Sequence, residues 1–425
     1  MKSTAALAPA LRDAARMVAR VAAGRSLAEE LNRAAEEGLE TPRAALLDLT
    51  HGTLRRYGRV QFIVRELSRR GAPEPLAEAL LWCSLYALES GRYAEYTVVD
   101  QAVRACGLLE RWTAKGYVNG VLRSFLRERA PLESRILASE EARFQHPQWW
   151  IDIVRSAYPQ EWQEVLAAGN SHPPMTLRVN TRRVSVPDYA VRLAAAGIAA
   201  RPLGGAALLL ERPVAAERLP GFAGGEVSVQ DAGAQRAACC LDLAAGQRVL
   251  DACAAPGGKT AHILESAEVS LTALDADAAR CARIERNLER LGLGATIRTA
   301  DCTRLDAWWN GAPFDRILAD VPCSASGVVR RHPDVKWLRR AGDLPAFAAR
   351  QGAILDALWQ ALAAGGKLLY VTCSLFPQEN EQLVEAFVAR AMGARRLPLP
   401  DGAPAQWLPG AEHDGFFYAL IQKQA

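Results

Sequence analysis

The C-terminal half of the chain alternates short apolar segments with stretches of helical periodicity, from about residue 226 to residue 425. The apolar segments include RVLDACA, VSLTALDA and GGKLLYVTCS, and DAARCARIERNLERLG is one of the helical stretches between them. Buried strands that alternate with helices form a mostly parallel sheet covered on both faces. Ligands of such sheets bind beyond the carboxyl ends of the strands, so we expect a functional site there.

The first 140 residues have a helical pattern throughout. Apolar residues recur every three or four positions in segments such as ARMVARVAAGRSLAEELNRA and LAEALLWCSLYALES, which predicts an all-helical domain. Arginines such as Arg55 and Arg123 recur on the polar faces. These faces are either solvated or contact RNA, and the pattern alone leaves both interpretations open.

Residues 141–225 combine strand and helix signals. Met175, Leu177 and Val179 alternate with polar residues, which indicates a strand, and VPDYAVRLAAAG has a helical pattern. We therefore predict a small α+β domain here. Arg178 on the strand would suit a phosphate contact, although charged strand faces are commonly just solvated.

Composition excludes several classes of protein. No run of about 18 apolar residues is present, so we expect no membrane helix. Arginines interrupt the N-terminal apolar run with helical periodicity, which indicates a helix and not a signal peptide. The nine cysteines form no CxxC pair and the six histidines show no zinc-ligand spacing, so we expect neither a disulfide scaffold nor a metal site. A cytoplasmic protein is the expectation.

The segment VLDACAAPGGKTAHIL, residues 249–264, reads as a strand, a glycine-containing loop and a helix start. Gly257 and Gly258 allow close approach of a ligand to the backbone. A phosphate-binding P-loop would need another glycine where Cys253 stands, and the dinucleotide pattern GxGxxG is missing as well. The loop therefore predicts a small-molecule site of another kind.

Four predicted strands in succession end in or near an aspartate: Asp251, Asp275, Asp301 and Asp320. A carboxylate after the second strand is well placed to accept hydrogen bonds from ribose hydroxyls. Two cysteines, Cys323 and Cys373, also follow predicted strand ends. Either could be a nucleophile, and their spacing does not order them.

These motifs resemble a known family. DACAAPGGKT (251–260), DVPCS (320–324) and TCS (372–374) are similar to motifs of the Sun family of RNA cytosine-5 methyltransferases, which use S-adenosylmethionine. VDQAVRACGLLERWTAKGYVNGVL resembles the NusB-like domain of the bacterial branch that acts on 16S rRNA. The resemblance implies a NusB-like all-α domain (1–140), a small α+β, RRM-like linking domain (141–225) and a Rossmann-like class I methyltransferase domain (226–425). Val321, where alanine is commoner, is a minor departure.

The resemblance also implies a reaction: methylation of carbon 5 of one specific cytosine in 16S rRNA through a covalent bond between a cysteine and carbon 6. By resemblance Cys373 is the nucleophile and Cys323 assists release of the adduct. DNA cytosine-5 methyltransferases instead use a Pro-Cys cysteine as nucleophile, so the reverse order is an alternative. Asp320 would lie between cofactor and base, and Lys259 would point toward the base, unless it is simply a solvated lysine at a helix start.

The remaining roles are carried over in the same way. The residues expected to bind S-adenosylmethionine are Cys253, Ala254, Ala255, Pro256, Gly257, Gly258, Lys259, Asp275, Asp301 and Asp320. Those expected to contact RNA are Arg330, Arg331, His332, Lys336 and Arg178. We expect a monomer that acts on 16S rRNA. The same chemistry on tRNA or another rRNA site, and a non-catalytic RNA-binding role, are the alternatives.

Overall fold

The computed structural model describes residues 7–39, 41–68 and 74–424, and the chain divides into two compact units. The first unit contains the chain up to His172 together with Val329–Ala341, and the second contains Pro173–Val328 and the chain from Gly342 onward. The helical unit thus continues past the boundary predicted at residue 140 and includes a segment distant in sequence.

The first unit is helical, as the apolar periodicity predicts. The apolar helix faces meet in one core in which Leu11, Leu80 and Val118 are fully buried. The helices are α1 (Leu7–Ala22), α2 (Leu27–Glu36), α3 (Arg43–Arg55), α4 (Tyr57–Leu67), α5 (Pro75–Glu89), α6 (Glu95–Leu108), α7 (Lys115–Arg127), α8 (Arg129–Ala138), α9 (Glu140–Phe144), α10 (Gln148–Ala157) and α11 (Trp162–Asn170).

The second unit begins with a small antiparallel sheet in the order β2-β3-β1-β4, which confirms the α+β prediction. The Ser185 hydroxyl accepts from the N–H of Asp188 and caps the one long helix, which buries Tyr189 and Leu193 against the sheet. The elements are β1 (Met175–Val179), α12 (Val186–Ala195), β2 (Ala200–Gly204), β3 (Ala207–Leu210) and β4 (Val227–Val229).

A larger sheet follows, with strand order β10-β12-β9-β8-β5-β6-β7, and it confirms the predicted α/β domain. Strands β5 to β9 pair in parallel, whereas β10, β11 and β12 pair antiparallel. In chain order, with α17 inserted from the helical unit, the elements are α13 (Ala232–Cys240), β5 (Arg248–Asp251), α14 (Gly258–Ser266), β6 (Ser270–Asp275), α15 (Ala278–Leu291), β7 (Thr296–Thr299), α16 (Leu305–Trp308), β8 (Phe314–Asp320), α17 (Val335–Leu338), α18 (Leu344–Ala361), β9 (Leu362–Thr372), α19 (Glu381–Arg390), β10 (Ala394–Leu397), β11 (Gln406–Trp407) and β12 (Phe416–Lys423).

The sheet is buried on both faces because its central strands alternate apolar side chains between two cores. In β8, Leu318 belongs to one core and Ile317 and Ala319 to the other. This is the pattern expected of parallel strands covered by helices on both sides. The polar ends of these strands therefore collect at one edge.

Helix α17 belongs to the first unit, although its neighbours along the chain belong to the second. The Asp334 carboxylate, just before α17, accepts a 3.0 Å hydrogen bond from the N–H of Leu27, the first residue of α2. An acidic group at a helix N-terminus satisfies an otherwise unpaired N–H. The helical unit is therefore completed by a segment that leaves the second unit six positions after Cys323.

Candidate active site

A cavity of about 300 Å³ lies at the carboxyl edge of the parallel strands, where the sequence predicts the site. It is formed by the loops that follow β5, β6, β7, β8 and β9. Its lining includes seven of the predicted site residues: Cys253, Ala255, Asp275, Asp301, Asp320, Cys323 and Cys373. The fold thus collects residues that are up to 120 positions apart in sequence.

The two predicted catalytic thiols meet in this cavity. Cys323 and Cys373 follow the adjacent parallel strands β8 and β9, and their Sγ atoms are 3.4 Å apart. The hydrogen bond with Cys373, together with burial, raises the pKa of the Cys323 thiol well above its ordinary value. Cys323 therefore holds its proton more tightly than an ordinary thiol does.

A lysine and an aspartate lie beside the thiols. The Nζ of Lys259, in the first turn of α14, donates a 2.6 Å hydrogen bond to Oδ2 of Asp320, and the lysine side chain is only 14% exposed. Burial alone would lower the pKa of Lys259, but the negative charges of Asp320 and Cys373 raise it above its ordinary value. Lys259 is therefore a largely buried cation paired with Asp320, which lines the cavity, and not a solvated lysine at a helix start.

The glycine-containing loop is held tightly before α14 begins. Gly257 has φ +93°, and a Cβ at this position would lie 3.1 Å from the side chain of Ile284, so only glycine fits well. The Thr260 hydroxyl donates a 2.7 Å hydrogen bond to Asp251, whose pKa burial raises to about 7. Asp251 is fully buried and supports the loop, in contrast to the other three strand-end aspartates, which line the cavity.

Two of those aspartates are fixed by nearby backbone groups. Asp275 accepts 3.2 Å hydrogen bonds from the N–H groups of Ala255 and Asp277. Asp301 accepts from the N–H and hydroxyl of Thr303, which lowers the pKa of the Asp301 carboxyl. Carboxylates held in this way can accept hydrogen bonds from hydroxyl or amino groups of a ligand without reorganising.

The donor set fits a cationic, hydroxyl-rich ligand. Asp275, Asp301 and Asp320 supply acceptors and negative charge, and Arg280 and Arg350, which also line the cavity, could pair with a ligand carboxylate. S-adenosylmethionine combines ribose hydroxyls, an amino group, a sulfonium and a carboxylate, so the residues present suit it.

Two of the predicted RNA contacts, Lys336 and Arg330, are instead buried inside the first unit. Lys336 is fully buried, and its Nζ donates to the carbonyls of Arg55 and Gln145 and to Oδ1 of Asn170, at 3.1, 3.0 and 2.6 Å. Burial lowers the pKa of Lys336 well below its ordinary value. Arg330 is only 2% exposed, and its carbonyl accepts from the Arg55 guanidinium. These two residues hold their segment inside the helical unit and do not present a surface to phosphate.

Arg178 is the third predicted RNA contact that the structure corrects, because its side chain forms a buried ion pair. It is 1% exposed and forms two hydrogen bonds to Glu265 of α14, at 2.8 and 2.9 Å, and one of 2.8 Å to the Gly258 carbonyl. A strand residue of the small sheet thus fixes the start of the helix that carries Lys259. His332 is exposed and Arg331 is partly exposed, so both remain predicted RNA contacts.

We expect Arg178→Met to lower the free energy of unfolding by about 3–5 kcal/mol, because Glu265 would stay buried without its cation. Arg192→Met is the matched control, since it removes the partly exposed ion pair with Glu226 in the same small domain and should cost about 1 kcal/mol or less. Urea unfolding measures both. Equal losses in the two variants would contradict a structural role for Arg178.

The site contains one group of residues that the sequence did not single out. Serines follow both cysteines, and Ser324 and Ser374 are fully buried around the carboxylate of Glu379. The repetition of Cys-Ser at the two strand ends was the available signal.

Residues 7–39, 41–68 and 74–424 include no helix that is long and apolar enough to cross a membrane. No group of three or more His, Cys, Asp or Glu side chains in them could hold a metal ion.

Three protein families match successive parts of the chain. The NusB family matches residues 9–127, and the ferredoxin-like domain of RsmF/B-like methyltransferases matches residues 146–217. The description "16S rRNA methyltransferase RsmB/F" matches residues 238–422. The first and third matches agree with the helical and α/β parts of the structure, whereas the second also includes α10 and α11, which the structure groups with the helical unit.

Relatives cover almost the whole chain. The chain is 42% identical to the ribosomal RNA small subunit methyltransferase B of Vibrio cholerae, over 94% of this chain and 94% of that protein. It is 41% identical to the protein of the same name from Pseudomonas putida, over 97% and 98%. A solved structure, a methyltransferase homolog protein from Pyrococcus horikoshii, has a TM-score of 0.60 and 27% identity, covering 67% of this chain and 97% of that one.

Proposed function

The chain belongs to the family of the ribosomal RNA small subunit methyltransferase B proteins and is a methyltransferase; from this premise we propose that it methylates carbon 5 of one specific cytosine in 16S rRNA. The relatives carry ribosomal RNA in their names, and their similarity extends through the NusB-like part. The substrate would place the reaction in the cytoplasm, where ribosomes are assembled.

The observation that carries the proposal is the 3.4 Å separation of Cys323 and Cys373, beside Lys259 and Asp320. Carbon 5 of cytosine is a poor nucleophile until a thiolate adds to carbon 6 and makes the ring enamine-like. A second group must later remove the carbon 5 proton. Two thiols in contact can serve both steps on neighbouring ring atoms.

We assign nucleophilic attack to Cys373, the cysteine of the TCS motif, and the raised pKa of the Cys323 thiol supports this order. Asp320 and Lys259 lie beside the thiols and would hydrogen-bond the ring edge as charge moves toward nitrogen 3. The target base must leave its stack to enter such a site. Arg331 and His332 remain candidates for the flanking phosphates.

The cofactor would be S-adenosylmethionine, which supplies an electrophilic methyl group on its sulfonium. The loop of residues 253–259 would bind it together with Asp275 and Asp301. Asp320, which lines the same cavity, would contact both cofactor and base.

Release returns the site to its starting state. With Cys373 bonded to carbon 6, its sulfur is a neutral thioether that no longer holds the Cys323 proton, which passes to solvent. The Cys323 thiolate then takes the carbon 5 proton, the C–H electron pair re-forms the ring double bond, and Cys373 leaves as a thiolate. The net proton released is the one given to solvent.

Bisulfite sequencing of 16S rRNA and tRNA tests the substrate, in cells with the gene, without it, and with it restored. We expect one 16S cytosine to be protected from conversion only when the gene is present. Loss of protection in tRNA instead would favour that substrate. Unchanged protection in every RNA would overturn the proposed activity.

A further inference from the structure

One buried carboxylate connects the two cysteine loops. Glu379 is fully buried at the end of the short 3-10 turn Pro377–Glu379, seven positions after β9 ends. Its backbone carbonyl accepts a 2.7 Å hydrogen bond from the Tyr370 hydroxyl. The main chain at Glu379 is thus fastened to the strand that leads to Cys373.

The carboxylate oxygens of Glu379 divide between the loops. Oε1 accepts from the N–H of Ser324, the residue after Cys323, at 2.8 Å, and from Nε2 of Gln351 at 3.0 Å. Oε2 accepts from the hydroxyl of Ser374, the residue after Cys373, at 2.5 Å. One side chain therefore holds the position directly after each thiol.

Serine hydroxyls complete the connection. The Oγ atoms of Ser324, Ser326 and Ser374 lie 3.1 Å from one another, and Ser326 also accepts from the N–H of Leu375 at 2.7 Å. All three serines are buried, so each of these bonds is costly to leave unmade. The two loops form one polar cluster centred on Glu379.

We propose that Glu379 is a positioning residue that sets the separation of Cys323 and Cys373 and thereby the rate at which the adduct is released. This inference rests on the proposed cytosine-5 mechanism. Addition needs only one thiol at carbon 6, whereas release needs the second thiol at the carbon 5 proton while the first is still bonded. Release is therefore the step more sensitive to the distance between the loops, and a displacement of about 1 Å can cost about 100-fold in rate.

The charge of Glu379 acts in the same direction. Its carboxylate contributes to raising the pKa of Cys323, after the effects of Cys373 and burial. Removing that charge should shift the pH dependence of release toward lower pH, which loss of packing alone would not do.

Glu379→Gln tests the proposal, because glutamine keeps the size and one acceptor but replaces the oxygen that accepts from Ser374. We expect steady-state turnover on 16S rRNA to fall about 10- to 100-fold, with a protein–RNA adduct on denaturing gels that the natural protein does not accumulate. Ser374→Ala, which disconnects only the Cys373 loop, should behave alike. The double variant should be little worse than either single one, since both break the same connection.

The controls separate folding and mechanism from positioning. Each variant is assayed at a temperature at which it is fully folded, and its affinity for S-adenosylhomocysteine should stay close to that of the natural protein. Cys323→Ala is assayed beside the Glu379 variant: an adduct in Cys323→Ala but none in Glu379→Gln overturns the positioning role alone. No adduct in either variant overturns the proposed mechanism. A proportional loss of adduct formation and turnover in Glu379→Gln would reduce Glu379 to a structural residue and also reject the proposal.

Discussion

Cys373→Ala is expected to lose methyl transfer to RNA by about 10⁴-fold or more, since loss of a covalent nucleophile removes the whole pathway and not one contribution to it. The measurement is transfer of labelled methyl groups to 16S rRNA under single-turnover conditions. Affinity for S-adenosylhomocysteine should be unchanged, because the carboxylates of Asp275 and Asp301 are fixed by other residues.

The matched control for Cys373 is Cys239→Ala. Cys239 is exposed on α13 and does not line the cavity, so its loss should leave methyl transfer unchanged. Normal methyl transfer by Cys373→Ala, with loss in Cys323→Ala, would reverse the two roles and make Cys323 the nucleophile, as in DNA cytosine-5 methyltransferases.

Cys323→Ala should stop the reaction at a later point. The Cys373 thiolate can still add to carbon 6, but the residue placed to take the carbon 5 proton is missing. We expect turnover to fall about 10²- to 10⁴-fold, with a stable protein–RNA band on denaturing gels whose RNA already carries the methyl group.

The double variant Cys323→Ala/Cys373→Ala provides the control for that band, which should then disappear. Unimpaired turnover without an adduct in Cys323→Ala would remove the release role. An adduct whose RNA is not methylated would show that Cys323 acts before methyl transfer.

The sequence predicted those parts of the candidate site whose positions follow from local backbone geometry. Aspartates at the ends of parallel strands must meet at one sheet edge, and Gly257 follows a strand at a position with positive φ, so both could be recognised from the sequence. The meeting of Cys323 and Cys373 follows from the same rule, because both come after neighbouring strands.

The predictions failed where tertiary partners decide the role of a residue. Lys336 lies in a basic stretch that is typical of RNA contacts, but its acceptors come from Arg55, Gln145 and Asn170, which no local pattern connects to it. Arg178 likewise meets Glu265, 87 positions away. Glu379 escaped notice because its importance lies in the two serine-containing loops that it joins.

The discontinuous helical unit limits how modular this protein can be. A gene fragment that ends at His172 would specify the helices but omit Asp334 and Lys336, and would leave the N-terminus of α2 uncapped and three acceptors unpaired. The helical unit can therefore be neither transplanted nor deleted by a single cut in the chain. Recombination that exchanged the helical unit alone would also have to cut the chain in the loop that carries Cys323. The two units are therefore expected to be inherited together.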